Sequence, residues 1–308
     1  MLKPKRQRNW IGLGACSLLL LLAVPYGLAA AGPSEDFDGA RAFADLKHLV
    51  AFGPRPAGSP ALAEARRWII AQLKDAGAPV EEDSFTASTP VGSIPMTNLI
   101  AKFPGAQSKI VMMTGHYDTK REEGFRFVGA NDGGSSAALL LELARELRGS
   151  KHDLTYWLVF FDGEEAVREW TDTDSVYGSR HLVQKLSSAG ELGRIQAMIL
   201  VDMIGDAHLE IHREAGSTPW LTDIVFNAAH RLGYTKYFLD SPTAVEDDHV
   251  PFVNAGVAAI DLIDFNPQDG YWHTARDTVD HCSPQSLTIV GRVVLAALAD
   301  LEKSPRVK

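Results

Sequence analysis

The chain has 308 residues, 45% of them hydrophobic, and a formal net charge of −9. This is ordinary globular material with enough length for a large core and at most two domains. The acidic balance leaves no basic stripe suited to nucleic acid or an anionic lipid surface.

Residues 1 to 31 read as a secretory signal peptide. Lys3, Lys5, Arg6 and Arg8 form a basic start, Trp10 to Pro25 an apolar run, and Ala29-Ala30-Ala31 a small-residue cleavage site. An uncleaved N-terminal membrane anchor is the alternative, for which the apolar run is short. Leu13-Gly14-Ala15-Cys16 resembles a lipoprotein cleavage box, but most of the apolar run follows Cys16, which argues against lipidation. The expectation is an exported protein, periplasmic or secreted, with no stable membrane insertion after cleavage. Removal of four basic and no acidic residues leaves residues 32 to 308 as one domain of net charge −13. That domain keeps one cysteine, Cys282, so it has no internal disulfide and depends on its core. Cys282 follows His281 with no second thiol nearby and reads as a residue flanking a helix.

In chain order, Phe37, Ala40, Phe43, Leu46 and Val50 recur at helical period over residues 36 to 51. Gly53-Pro54-Arg55-Pro56-Ala57-Gly58 is a rigid loop, and Ser59 with Pro60 opens a second helix that runs to about Ala76 and stops at Gly77. Val80 to Thr86 and Thr97 to Phe103 read as strands joined by a Gly/Pro loop. Lys109 to Gly115 is an apolar strand leading into His116-Tyr117-Asp118. Gly129-Ala130-Asn131-Asp132-Gly133-Gly134-Ser135 precedes a periodic helix, Ala137 to Leu147, so Asp132 lies just before a helix N-terminus. Leu154 to Phe161 is a strand of the kind buried on both faces. It ends at Asp162-Gly163-Glu164-Glu165. A loop then reaches Tyr177-Gly178-Ser179-Arg180, which opens a helix. Ile195 to Met203 is a further strand and delivers Asp202; Leu209 to His212 alternates like an edge strand. Pro219 to Leu232 is a helix, Asp247-Asp248-His249 begins a short helical turn, Val257 to Ile263 is a last buried strand, and Pro284 to Leu301 a C-terminal helix. Strands alternate with helices throughout, which predicts an α/β fold: a three-layer α/β/α sandwich with a mixed, mostly parallel central sheet.

Ligands bind such sheets at the C-terminal ends of the strands. Those ends and the loops beside them collect His116, Asp118, Asp132, Glu164, Glu165, Asp202, Asp247, Asp248 and His273, an N/O donor set suited to Zn²⁺. Adjacent acids repel unless a proton or a metal separates their roles, so Glu164-Glu165 divides into one acid/base group and one ligand. Any one of these residues alone reads as structural; the joint placement does not.

The sequence resembles the M28-type zinc aminopeptidase superfamily over nearly all of residues 32 to 308, and within it the animal-type glutaminyl cyclases. The segments that carry the likeness are Gly115-His116-Tyr117-Asp118-Thr119-Lys120, Phe160 through Trp170, Asp174 through Leu182, Asp247-Asp248-His249-Val250-Pro251-Phe252 and Trp272-His273-Thr274. The resemblance implies one zinc held by Asp132, Glu165 and His273, with Glu164 as general acid/base. It also implies that Asp202 and Asp247 form a catalytic hydrogen-bond network beside Glu164, and that Trp170 and Trp272 wall the substrate pocket. The implied activity is cyclisation of N-terminal glutaminyl residues of peptides or proteins to pyroglutamate with release of ammonia. Three departures affect pocket detail. Gly115 and, approximately, Ala137 stand where the animal enzymes have cysteines, Asp261 replaces a His, and the loop Asp264 to Gly270 aligns poorly.

Two other readings compete. A two-zinc aminopeptidase would use His116, Asp132, Glu165, Asp202 and His273, with His116 and Asp202 serving the second metal, and all five are present. Trp170, the long segment Arg168 to Asp174 and Asp247-Asp248-His249 favour the cyclase. A metal-free binding module on the same fold would be expected to lose Glu164 or a ligand, and none is lost.

Overall fold

The structure, a computed structural model, describes residues 1–4, 37–266 and 270–307. Most of the segment read as a signal peptide, and part of the loop Asp264 to Gly270, therefore lie outside the described residues. Gly32–Lys308 forms one compact unit.

Its centre is a six-stranded sheet. In chain order the strands are β1 (Val80–Thr89), β2 (Gly92–Phe103), β3 (Ile110–His116), β4 (Thr155–Phe161), β5 (Ile195–Asp202) and β8 (Ala259–Ile263), in the spatial order β1-β2-β4-β3-β5-β8. β4, β3, β5 and β8 run parallel, while β1 and β2 form an antiparallel hairpin that joins β4 antiparallel. The mixed, mostly parallel sheet of the sequence reading is the one observed. Along β4, Tyr156, Leu158 and Phe160 face one core, and Trp157, Val159 and Phe161 the other. This two-residue alternation, apolar on both sides, is why the strand carries no polar periodicity. Each such large apolar side chain contributes about 2 kcal/mol when fully buried.

Helices α1 (Gly39–Ala51), α2 (Pro60–Asp75), α3 (Ser136–Glu146), α5 (Pro219–Arg231) and α7 (Pro284–Leu301) supply the larger core. α4 (Tyr177–Ser188) and α6 (His249–Asn254) cover the opposite face through Leu182, Leu186 and Phe252. The Ser59 hydroxyl accepts from Leu62 N–H at 3.1 Å, and Pro60 occupies the first position of α2, as the sequence predicts. α7 is long and apolar enough to cross a membrane, but 67% of it is buried inside the domain, as befits a core helix.

Two expectations need correction. The segment between Thr86 and Thr97 is not a loop: the strands continue to Thr89 and from Gly92, leaving Pro90-Val91 as a two-residue turn. The alternating segment near Leu209 does supply an edge strand, but it begins at Ile211 and lies outside the main sheet. Its strand, β6 (Ile211–Glu214), pairs parallel with β7 (Phe238–Thr243) in a separate two-stranded sheet.

Candidate active site

Because β3, β4, β5 and β8 are parallel, their C-terminal ends meet at one edge of the sheet. His116 ends β3 opposite Phe161, two residues later Gly163 turns the chain at φ +69°, and Asp202 ends β5 opposite Ile263. The non-glycine residues with left-handed φ among the described residues are Val176 (+42°), Met203 (+50°) and His273 (+50°). Each flanks or belongs to this edge, where the surrounding packing sustains strain that ordinary turns avoid.

Asp132 stands between two histidines. Its Oδ1 is 3.2 Å from His116 Nε2 and its Oδ2 is 3.2 Å from His273 Nε2. Glu165 Oε1 is also 3.2 Å from His273 Nε2, and Asp202 Oδ1 is 3.1 Å from His116 Nε2. Two donor sets result, His116–Asp132–Asp202 and Asp132–Glu165–His273, each with its ligand atoms within 4.8 Å of one another. Glu165 Oε2 is buried without a hydrogen-bond donor, and Asp132 Oδ2 and Glu165 Oε1 are buried facing the same single nitrogen, His273 Nε2. Carboxylate oxygens left so would cost several kcal/mol, and a cation among them removes that cost. Burial works to lower the His273 pKa, yet Glu165 and Asp132 push it up to about 10, so this corner favours positive charge. Imidazole and carboxylate donors at these positions fit a zinc ion.

Glu164 faces elsewhere. Its N–H donates to Asp118 Oδ1 at 3.2 Å, and its Oε2 is 3.8 Å from His116 Nδ1. Asp118 also lies 3.5 Å from that Nδ1 and so fixes the far side of the ring. Burial, with Asp247, Glu165 and Asp248 nearby, pushes Glu164 well above the usual carboxylate range against the opposing pull of His116. Asp247 is raised in the same way by burial, Asp202 and Asp248. Asp261, at the position of the animal His, is fully buried, with Oδ2 3.8 Å from His249 Nδ1. His249 Nε2 in turn lies 3.2 Å from Glu214.

A cavity of about 490 Å³ opens over these groups and is lined by Asp132, Glu164, Glu165, Asp202, Asp247 and His273, with Trp170 and Trp272 as walls. Of the candidate residues, His116, Asp118 and Asp248 do not line it and are buried, with 1%, 0% and 0% exposure; the others do line it. Trp272 stacks on His273, with ring centroids 4.1 Å apart, and meets Phe265 edge-on. Trp170 donates from Nε1 to Glu246 at 3.3 Å. The loop carrying Trp170 is held by Asp174, which accepts from Val167, Arg168 and Glu169 N–H at 2.9, 2.9 and 3.1 Å. The sequence reading did not single out Glu246 or Lys120, which also line the cavity, or Asp277 beneath it.

Residues 98–298 match the model of peptidase family M28. The chain belongs to peptidase family M28. A glutaminyl-peptide cyclotransferase-like protein of Bos taurus is 35% identical over 275 residues, covering 80% of this chain and 72% of the relative. The crystal structure of an Acidobacteriales bacterium glutaminyl cyclase superposes with a TM-score of 0.84 at 41% identity, over 92% of this chain and 99% of that one. A Zn-dependent exopeptidase from Parabacteroides distasonis superposes with a TM-score of 0.78 at 26% identity, over 85% and 98%. Within this M28 domain, Gly115 has a steric reason. A Cβ there would come within 2.7 Å of Ser136 Cβ and 2.9 Å of the Val201 carbonyl oxygen.

Proposed function

We propose that the chain is a zinc-dependent glutaminyl cyclase that converts the N-terminal glutamine of peptides to pyroglutamate and releases ammonia. The observation that carries this reading is the pair of indoles, Trp170 and Trp272, walling a cavity onto which Glu164 and the Asp132–Glu165–His273 donors all open. The 41% identity to a glutaminyl cyclase over 92% of the chain supports it.

In this reaction the α-amine nitrogen bonds to the side-chain amide carbon, the bond from that carbon to the amide nitrogen breaks, and one proton passes from the amine to the departing ammonia. The nucleophile belongs to the substrate, so no activated water is needed. Asp132, Glu165 and His273 would hold one zinc, because the His116 set is buried in all three members whereas the His273 side chain keeps 19% exposure toward the cavity. When bound, zinc supplies Lewis acidity at the amide oxygen and stabilises the charge developing there. Glu164 takes the proton from the α-amine and delivers it to the leaving nitrogen. Asp202 and Asp247 flank Glu164 as partners in its hydrogen-bond network. Trp170 and Trp272 hold the side chain bent toward its own amine and exclude water.

The second reading, a two-zinc aminopeptidase, draws on the second donor set, His116–Asp132–Asp202. Elemental analysis combined with assays on glutaminyl and leucyl amides separates the two. One zinc per chain with ammonia and pyroglutamyl product is the expected result; two zincs with free leucine would overturn it. We also propose export with cleavage near Ala31, from the basic, apolar and small-residue order of residues 1 to 31. Mass spectrometry of periplasmic or secreted protein should find no Met1.

A further inference from the structure

Two of the three donors on the open side of the cluster, Asp132 and His273, come from segments more than 130 residues apart: Asp132 from the irregular turn that leads into α3, His273 from a loop. Asp132 lies in the tight turn Ala130–Ser135, with φ −82° and ψ 106° between Gly129 at φ +50° and Gly133 at φ +77°. His273 is itself left-handed at φ +50°. The helix after Asp132 does not reach the His273 loop, so helix geometry alone does not set the distance between the two side chains.

We propose that Asp277 is the positioning residue that sets this distance. It lies four residues after His273 on the same loop and is 1% exposed. Its Oδ1 accepts from Asn131 N–H at 2.7 Å, and its Oδ2 accepts from Asp132 N–H at 3.1 Å. One buried carboxylate thus ties the loop that bears the imidazole to the main chain of the residue that bears the facing carboxylate. The turn is gripped from its other side by Arg55, which is fully buried and donates to Val128 O at 2.9 Å and Gly129 O at 3.2 Å. With its N–H groups on Asp277 and its carbonyls on Arg55, the turn has one seating, and Asp132 is aimed between His116 and His273 in that seating. Asn131 adds a separate anchor: its Oδ1 accepts from Gly205 N–H at 2.7 Å, and its Nδ2 donates to Tyr271 Oη at 3.0 Å. The Gly205 bond fixes the turn to the β5 side, and the Tyr271 bond ties it a second time to the His273 loop, two residues before the imidazole.

Asp277 does not line the cavity and cannot reach substrate, so its effect would pass through Asp132 and His273. Partners of ligand residues typically change metal affinity ten- to a hundredfold when altered. Asp277→Asn keeps the shape but replaces one acceptor oxygen with an NH₂ group facing a backbone N–H. The experiment measures zinc affinity by competition with a chromophoric chelator, together with the visible spectrum of the Co²⁺-loaded protein, for the native chain, Asp277→Asn and Ser135→Ala. We expect zinc affinity ten- to a hundredfold weaker and an altered Co²⁺ spectrum in Asp277→Asn. Both should be unchanged in Ser135→Ala, which removes a bond internal to the turn, from the Ser135 hydroxyl to Asn131 O, and leaves the His273 loop untouched. Should Asp277→Asn not fold, Asp277→Glu, one methylene longer, is expected to spread the two loops and weaken zinc in the same way. Native affinity and spectrum in the folded Asp277 variants, or equal losses in Ser135→Ala, would overturn the proposal.

Discussion

Glu164 and Glu165 are neighbours in the chain but serve opposite sides of the cluster: Glu165 Oε1 lies 3.2 Å from His273 Nε2, while Glu164 Oε2 lies 3.8 Å from His116 Nδ1. The left-handed Gly163 before them turns the strand end so that the two carboxylates diverge.

That divergence predicts separable phenotypes. Glu164→Gln is expected to keep its zinc and lose about 10²- to 10⁴-fold in turnover, the usual worth of a general acid/base. Glu165→Gln is expected to lose zinc affinity first. Equal zinc loss in the two variants, measured by elemental analysis after dialysis, would show that the roles are not divided.

Trp170 is predicted to act on substrate rather than on the fold, because it is 39% exposed at the cavity mouth and its indole N–H donates to Glu246 on the same wall. Trp170→Ala should lower kcat/KM on a glutaminyl amide by about ten- to a hundredfold through loss of orientation, with zinc content unchanged. Glu246→Ala, which frees the indole without removing it, should cost about three- to tenfold, in line with one lost hydrogen bond. Unaltered kinetics in both would remove these side chains from the substrate pocket.

Introducing a cysteine or even a methyl group at position 115 should harm this chain. A Cβ there meets Ser136 Cβ and the Val201 carbonyl, the latter fixed in β5. Overpacking of this kind typically costs about 1–3 kcal/mol, or roughly 2 to 5 °C in Tm for a domain of this size. Thermal melts of Gly115→Ala in the zinc-loaded state test it, and an unchanged Tm would mean that the strand yields.

A pH effect follows from Glu214. Burial works to raise its pKa, but His249 at 3.2 Å, Gly216 N–H and the Ser217 hydroxyl outweigh burial and hold the carboxyl at about 2, below its ordinary 4.5. A depressed folded-state pKa adds stability above the unfolded value, and that stability is lost as pH falls through 4.5 toward 2. Glu214→Gln should therefore be less stable at pH 7, on the order of 1–3 kcal/mol after allowance for screening. The gap from the native chain should narrow steadily below pH 4.5. Denaturant melts of both proteins, stripped of metal and run from pH 2 to 8, would contradict this by giving a constant gap.

The fold was legible wherever burial leaves its mark on composition. β3 and β4 are apolar on both faces, so their runs stand out, and Ser59-Pro60 marks the start of α2. β7 was hidden because Asp240, Ser241 and Pro242 are poor strand formers; it exists by pairing with β6. The hairpin was hidden because Pro90, Gly92 and Pro95 mimic a loop, while the pairing of Thr89 with Gly92 is fixed by the sheet as a whole. At the site, ligand types were readable from the motifs that end each strand. Asp277 was not, since its partners are backbone N–H groups as far as 146 residues away and leave no local pattern.

The two indoles at the cavity mouth give the protein an optical property. Trp170 and Trp272 are 39% and 38% exposed, whereas Trp68, Trp157 and Trp220 are buried or half-buried. Water-facing indoles emit at longer wavelength than enclosed ones, so among the described residues the red part of the emission band originates over the cavity. Trp272, stacked on His273, is also the ring whose surroundings a cation at that imidazole would alter. The chain thus carries its own fluorophores where ligands enter, and occupancy of the cavity can be followed without a label.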